Sequence, residues 1–126
     1  MSNEVPDDLK YTESHEWVHL KDTIARIGIT DHAQSELTDI VFAELPEVGK
    51  KVKKGDELCV VESVKSVSEI YAPVSGTVVS VNKKLDDAPE IINKSPYEDG
   101  WLVELEIEDI DEISTLMSAS DYKNII

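Results

Sequence analysis

Four places in this 126-residue chain hold side chains that could do chemistry. They are "HEWVH" at residues 15–19, His32, the single cysteine Cys59, and Lys65 at the centre of "VVESVKSVSEI", residues 60–70. "HEWVH" matches H-E-x-x-H, the zinc-peptidase pattern, in which a helix brings residues i and i+4 to one metal. Trp17 and Val18 favour a strand instead, and no amphipathic helical pattern surrounds them. On a strand His15 and His19 share a face but stand ~13 Å apart at ~3.3 Å per residue. Zn–N bonds of ~2 Å cannot span that gap. The segment is therefore expected to be extended and to bind no metal. His32, in "TDHAQ", suits packing or capping at a helix start, and no serine–histidine or cysteine–histidine pairing can be assembled from spacing. Cys59 has no partner for a disulfide or a metal pair, and in "LCVV" it suits a small buried hydrophobe.

Lys65 remains. Val60, Val61, Val64, Val67 and Ile70 suit a sheet core, whereas an ammonium taken out of water is costly unless paired. The sequence between "ELCVVES" and "VSEIYAP" leaves room only for a tight hairpin, which displays Lys65 at its tip.

The elements that must hold this hairpin are mostly short strands. "EWVHL" and "TIARIGI" form a hairpin across "KD". "TDHAQSEL" is a short helix capped by Thr30 or Asp31, with Ala33 and Leu37 on one face. "IVFAEL" is a strand stopped by "PEVG", and "KKVKKGDEL" carries the only basic cluster before a turn at Gly55-Asp56. "PVSG" is a further turn, "TVVSV" a strand and "NKKLDDAPEIINKSPYEDG" a longer loop. "WLVELEIE" alternates, with Val103, Leu105 and Ile107 facing a core and Glu104, Glu106 and Glu108 facing water. In the tail Ile113, Leu116 and Met117 give the i, i+3, i+4 stripe of an amphipathic helix.

The pattern predicts one mainly β domain with a terminal helix, spanning residues 1–126 with its core over about 9–122. Acidic residues number 27 against 12 basic, a formal net charge of -15. That balance argues against nucleic acid and anionic membranes and favours partners with basic docking surfaces. No apolar run approaches the ~20 residues of a membrane span. The polar, acidic start "MSNEVPDDLK" has no signal core or Arg-rich transit character, so a reducing, intracellular setting is expected.

Gly55, Asp56, Glu62, Ser63, Lys65, Ala72, Pro73, Gly76 and Val78 match, in order and spacing, the hallmark of biotinyl/lipoyl carrier domains. That hallmark is G-D, then E-S-x-K at a tight turn, then A-P-x-x-G-x-V. Biotin carriers usually flank the target lysine with methionines, whereas Val64 and Ser66 flank Lys65. "YTESHEWV", "IGITDHAQSEL", "DIVFAELPEVG", "VESVKSVSEIYAPVSG" and "SPYEDGW" resemble the glycine cleavage system H protein family from about Leu9 to Tyr122. "SHEWV" belongs to that family's own pattern.

The resemblance implies a lipoyl/biotinyl-type sandwich of two antiparallel sheets with short helices and a C-terminal helix. It also implies a carrier without catalytic residues. Lipoate in amide linkage to Lys65, presented by Glu62 and Ser63, would accept the aminomethyl group left when glycine decarboxylase (P protein) acts on glycine. Aminomethyltransferase (T protein) would take the methylene onto tetrahydrofolate, and dihydrolipoyl dehydrogenase (L protein) would reoxidise the arm with FAD and NAD. Lipoate-attaching enzymes are implied partners too, and a monomer is expected, in bacterial cytoplasm or, for a processed eukaryotic chain, in mitochondria. Ser14, Glu16 and Glu69 match the family's cleft for the folded-back arm, although family members frequently have aspartate at position 69. Thr38 stands where "LGDIVF" is common, so a positive φ is not expected at that turn. Three other hypotheses remain: an H-like protein relaying lipoate to 2-oxoacid dehydrogenases, a zinc peptidase, and an interaction module with unmodified Lys65.

Overall fold

The computed structural model describes residues 4–126; residues 1–3, which the single-domain expectation included, lie outside the described residues. Nine strands form two antiparallel sheets among the described residues. In chain order the strands are β1 (Lys10–Tyr11), β2 (Glu16–Lys21), β3 (Ile24–Ile29), β4 (Ile40–Glu44), β5 (Lys51–Val52), β6 (Glu57–Ser63), β7 (Val67–Tyr71), β8 (Gly76–Val81) and β9 (Val103–Ile107). One sheet runs β1-β2-β3-β9-β8-β5 and the other β4-β6-β7. The short helices are α1 (Asp31–Leu37), α2 (Lys84–Asp87), α3 (Ile91–Lys94) and α4 (Ala119–Lys123), with a 3₁₀ turn over Ile110–Thr115.

Alternation builds the sandwich. Ala25, Ile27, Val78, Val103 and Leu105 are fully buried, and register sets Ala25 against Leu105 and Ile27 against Val103. The smaller sheet adds Ile40, Ala43, Val61 and Ile70 to the same core. Gly76 is required by packing, because a Cβ there would stand 2.4 Å from the Glu106 carbonyl oxygen. Cys59 is a buried thiol, as its apolar neighbours require.

A second cluster closes the outer side of β2. Tyr11, Trp17 and Tyr122 are buried together, with the Tyr11 and Tyr122 rings stacked 4.8 Å apart. The Trp17 indole N–H donates to the Pro96 carbonyl at 2.9 Å. "SHEWV" and "SPYEDGW", 79 residues apart at that bond, thus meet in one packing unit.

Several local expectations change. The β2–β3 turn is Asp22-Thr23, since Lys21 already pairs with Ile24. The long loop folds into α2 and α3 around buried Leu85 and Ile92. The tail stripe does not form one helix: the 3₁₀ turn ends at Thr115, Met117 bridges to Tyr11, and the terminal helix begins only at Ala119. Pairing with β1 satisfies the Met117 backbone better than continuing a helix would.

Thr38 overturns its expectation outright, with φ 65 and ψ -147. Its N–H donates to Gln34 and its carbonyl accepts from the Asn93 side chain at 2.8 Å. Asn93 also accepts from the Ile40 N–H at 2.9 Å. These tertiary bonds impose on a threonine a conformation that suits glycine.

Candidate carrier site at the β6–β7 turn

The β6–β7 hairpin is held by its inward side chains. Leu58, Cys59, Val61 and Ile70 are all buried, and β6 is the central strand of its sheet. Chain reversal is confined to Val64-Lys65-Ser66. The Ser63 N–H donates to the Ser66 carbonyl at 2.8 Å, and the Ser63 hydroxyl accepts from the N–H groups of Lys65 and Ser66 at 3.3 and 3.1 Å. A serine preceding the turn competes well for these backbone donors, which no ladder can satisfy. The Val64 N–H donates to the Asp39 carbonyl at 3.0 Å, tethering the turn to the segment between α1 and β4.

Lys65 is exposed at the tip, and no described residue forms an ion pair with its ammonium. A primary amine that is to become an amide must be reachable and uncommitted, and this one is both. Glu62 sits half-buried opposite Val67 at the last ladder position before the turn.

The remaining candidates do not gather in one place. Glu16 is only 1% exposed and lies on the inward face of β2 with Val18. Its carboxylate accepts from the Thr12 hydroxyl, from the Ser14 hydroxyl at 2.6 Å and from the Tyr71 N–H at 3.3 Å. Glu16 is thus a buried staple between the β1–β2 turn and the end of β7. Ser14 is exposed and borders a cleft of about 140 Å³ with His15, Glu36, Leu37, Ser68 and Ile70. Glu69 follows Ser68 on β7 and faces the opposite side, accepting from the Tyr71 hydroxyl at 2.8 Å.

The one carboxylate lining the cleft is therefore Glu36, on α1, which sequence reasoning missed. Its only signal was a charged residue beside the apolar Ala33–Leu37 stripe. His15 has φ 72; its Nδ1 lies 2.7 Å from the Tyr122 hydroxyl and its ring 4.8 Å from that of His32. Burial first, then the neighbouring imidazole, lowers the His15 pKa, while Glu36 opposes them. His19 stands on β2, in a separate groove of about 510 Å³ with Trp17 and Arg26 that includes no residue of the β6–β7 hairpin. The strand expected over "HEWVH" begins only at Glu16. His15 precedes it at positive φ in the β1–β2 turn, so the two histidines of H-E-x-x-H do not share a strand face and stand in different surroundings.

A family model described as Glycine cleavage H-protein matches residues 9–126. The chain belongs to that family. It is 57% identical over 126 residues to the glycine cleavage system H protein of Halalkalibacterium halodurans, covering 100% of this chain and 98% of that one. Identity with the Staphylococcus epidermidis glycine cleavage system H protein is 51% over 122 residues, 97% of each chain. The crystal structure of a glycine cleavage system H protein from Mycobacterium marinum superposes with a TM-score of 0.88 at 39% identity, covering 95% of this chain and 97% of that one. Family members are the lipoate carriers of the glycine cleavage system, not enzymes in their own right. The sandwich expected from the carrier motif is the fold observed. No helix among the described residues is long and apolar enough to cross a membrane.

Proposed function

We propose that this chain carries lipoate on Lys65 and shuttles between the P, T and L proteins of the glycine cleavage system, in the bacterial cytoplasm. The observation that carries the proposal is a lysine with an unpaired ammonium on a turn fixed from below by buried strands. Lipoate held there in amide linkage to Lys65 would supply the chemistry, a redox-active pair of sulfurs able to carry the aminomethyl group between the P, T and L proteins.

The chain's own residues present and orient. Ser63 fixes the Lys65 backbone by accepting two N–H bonds, so the side chain leaves the turn in one direction. A rigid base under a flexible arm keeps the tethered end near any docked active site, which raises effective concentration to about the millimolar range. The cleft beside β7 offers the arm an apolar floor of Leu37 and Ile70, with Ser14, Ser68 and Glu36 as polar contacts. Glu36 would attract a cationic load, Glu16 acts indirectly by holding Ser14, and Glu69 lies on the other face of the strand.

Intact-mass measurement of protein from a lipoate-competent host should show one lipoyl addition, absent in Lys65→Arg. Mixed with P, T and L proteins, tetrahydrofolate and glycine, the lipoylated protein should support glycine-dependent NADH formation. Lipoylation without that turnover would favour lipoate relay; no lipoylation would refute the carrier assignment.

A further inference from the structure

The outer face of the β4-β6-β7 sheet is an unusual surface for a chain with this charge. Among the described residues, ten large apolar side chains are exposed, and five of them, Val41, Phe42, Val64, Val67 and Tyr71, lie on this sheet and its Lys65 turn. Register arranges them in rows with carboxylates. Phe42, Glu62 and Val67 cross the three strands in one row, and Glu44, Val60 and Glu69 in the next. Glu57 pairs with Tyr71 beyond them. Among the described residues, β4, β6, β7 and the turn joining β6 to β7 carry one lysine or arginine, Lys65, at the rim of this face. Scattered exposed apolar residues need no explanation, but a contiguous group beside a functional residue marks an interaction surface.

We propose that this face is gripped by the enzyme that acylates Lys65, and that the enzyme's mouth is apolar at its centre with arginine or lysine at its rim. The inference rests on Lys65 being the attachment site. Reach selects this partner over those that meet the loaded arm. From Cα to Nζ a lysine spans only about 6 Å at ~1.5 Å per bond. The unmodified amine must meet an activated acyl group directly, so the acylating enzyme has to come within a lysine's length of the Val64–Ser66 backbone. At that approach the row of Phe42, Glu62 and Val67 lies beside the turn, since Glu62 and Val67 are the last ladder pair before it. Partners reached through the much longer lipoyl-lysine arm are not forced against the sheet. In the step itself the neutral amine attacks the carbonyl carbon of a lipoyl adenylate. The amide C–N bond forms, the acyl–phosphate C–O bond breaks, AMP leaves, and the proton shed by nitrogen goes to solvent. Glu44, Glu57, Glu62 and Glu69 meet the basic rim and hasten encounter, while Phe42 and Val67 fill its apolar centre.

The test uses the full chain, a purified lipoate-attaching enzyme and lipoyl adenylate. Phe42→Thr/Val67→Thr removes the apolar contacts and Glu44→Gln/Glu62→Gln the charges; all four positions are on strands and none has a buried side chain. Each pair should lower kcat/KM for acylation about tenfold, mostly through KM, the scale of truncating interface contacts that matter without being hot spots. The glutamine pair should also flatten the dependence of kcat/KM on salt. Val79→Thr, exposed on β8 of the other sheet, should behave as wild type. Wild-type kcat/KM in both pairs would overturn the proposal, as would equal losses in Val79→Thr. Acylation left intact while turnover with the P protein falls would also overturn it, by assigning the face to that partner. If Lys65→Arg were acylated like wild type, the attachment site itself would fail, which is a distinguishable result.

Discussion

Glu16→Gln separates a structural carboxylate from one that meets the arm. Glu16 is buried and accepts three hydrogen bonds, from Thr12, Ser14 and the Tyr71 N–H. Glutamine keeps the volume and one acceptor oxygen. If that oxygen serves the two hydroxyls, the amide NH₂ faces the Tyr71 N–H, donor against donor. Leaving one such donor without an acceptor costs about 1–3 kcal/mol. Thr12 is half-exposed and Ser14 exposed, so their hydroxyls can turn to water and the lower half of that range applies. At about 1.5 kcal/mol, and about 4 °C per kcal/mol for a chain of this length, Tm should fall by about 6 °C. Glu16→Ala strands all three donors and opens a void, for about 3 kcal/mol and about 12 °C. The loss should be local as well as global. The Tyr71 amide should exchange faster with deuterium, while lipoyl attachment at Lys65, at the other end of β7, should keep its wild-type rate. Thermal unfolding by circular dichroism and amide exchange by mass spectrometry are the assays. Wild-type melting together with unchanged Tyr71 exchange in Glu16→Gln would refute the staple.

Thr38→Gly should raise Tm by about 4 °C, because about 1–3 kcal/mol of backbone strain is relieved against about 0.5–1 kcal/mol of added chain entropy; a lower Tm would contradict the strain argument. Gly28→Ala should destabilise by about 1–3 kcal/mol, since the new Cβ would stand 2.6 Å from the Trp17 ring, itself held by Pro96; the shift of a urea midpoint measures it. Stability should also depend on pH at both ends. The pKa of His15 is lowered on folding, first by burial, so its contribution is intact above the unfolded value of ~6.5 and is lost as pH falls below it; His15→Gln should flatten Tm between pH ~7 and ~5. The pKa values of Tyr11, Tyr97 and Tyr122 are raised, again first by burial, so their contribution is intact below ~10 and is lost as pH climbs past it; a Tm that holds steady through alkaline pH would show that these rings ionise freely in the folded chain.

The pattern along the chain determined the longer strands and the displayed lysine, but not the two-residue strands β1 and β5, whose only mark is pairing with β2 and β8. Beside Lys65 only Val61 and Ile70 of the apolar run are buried, while Val60 is half-buried and Val64 and Val67 are exposed, contrary to the core expected for all five. Alternation in "VELEI" fixes which of its side chains face inward, because burial on a strand repeats every second residue. The Thr30 cap and the turn at Gly55-Asp56 were legible for the same reason: the bonds that make them lie within a few residues. What tertiary structure alone decided is everything set by partners distant in sequence. Asn93 forces Thr38 to positive φ from 55 residues away, and Tyr11 takes Met117 out of the expected tail helix. The Tyr71 N–H turns Glu16 into a buried staple from 55 residues away, and the packing of α1 beside β7 puts Glu36 rather than Glu69 at the cleft. Residue type states what a carboxylate can accept. Which donor arrives, and on which face, depends on how the two sheets close, and no local spacing encodes that.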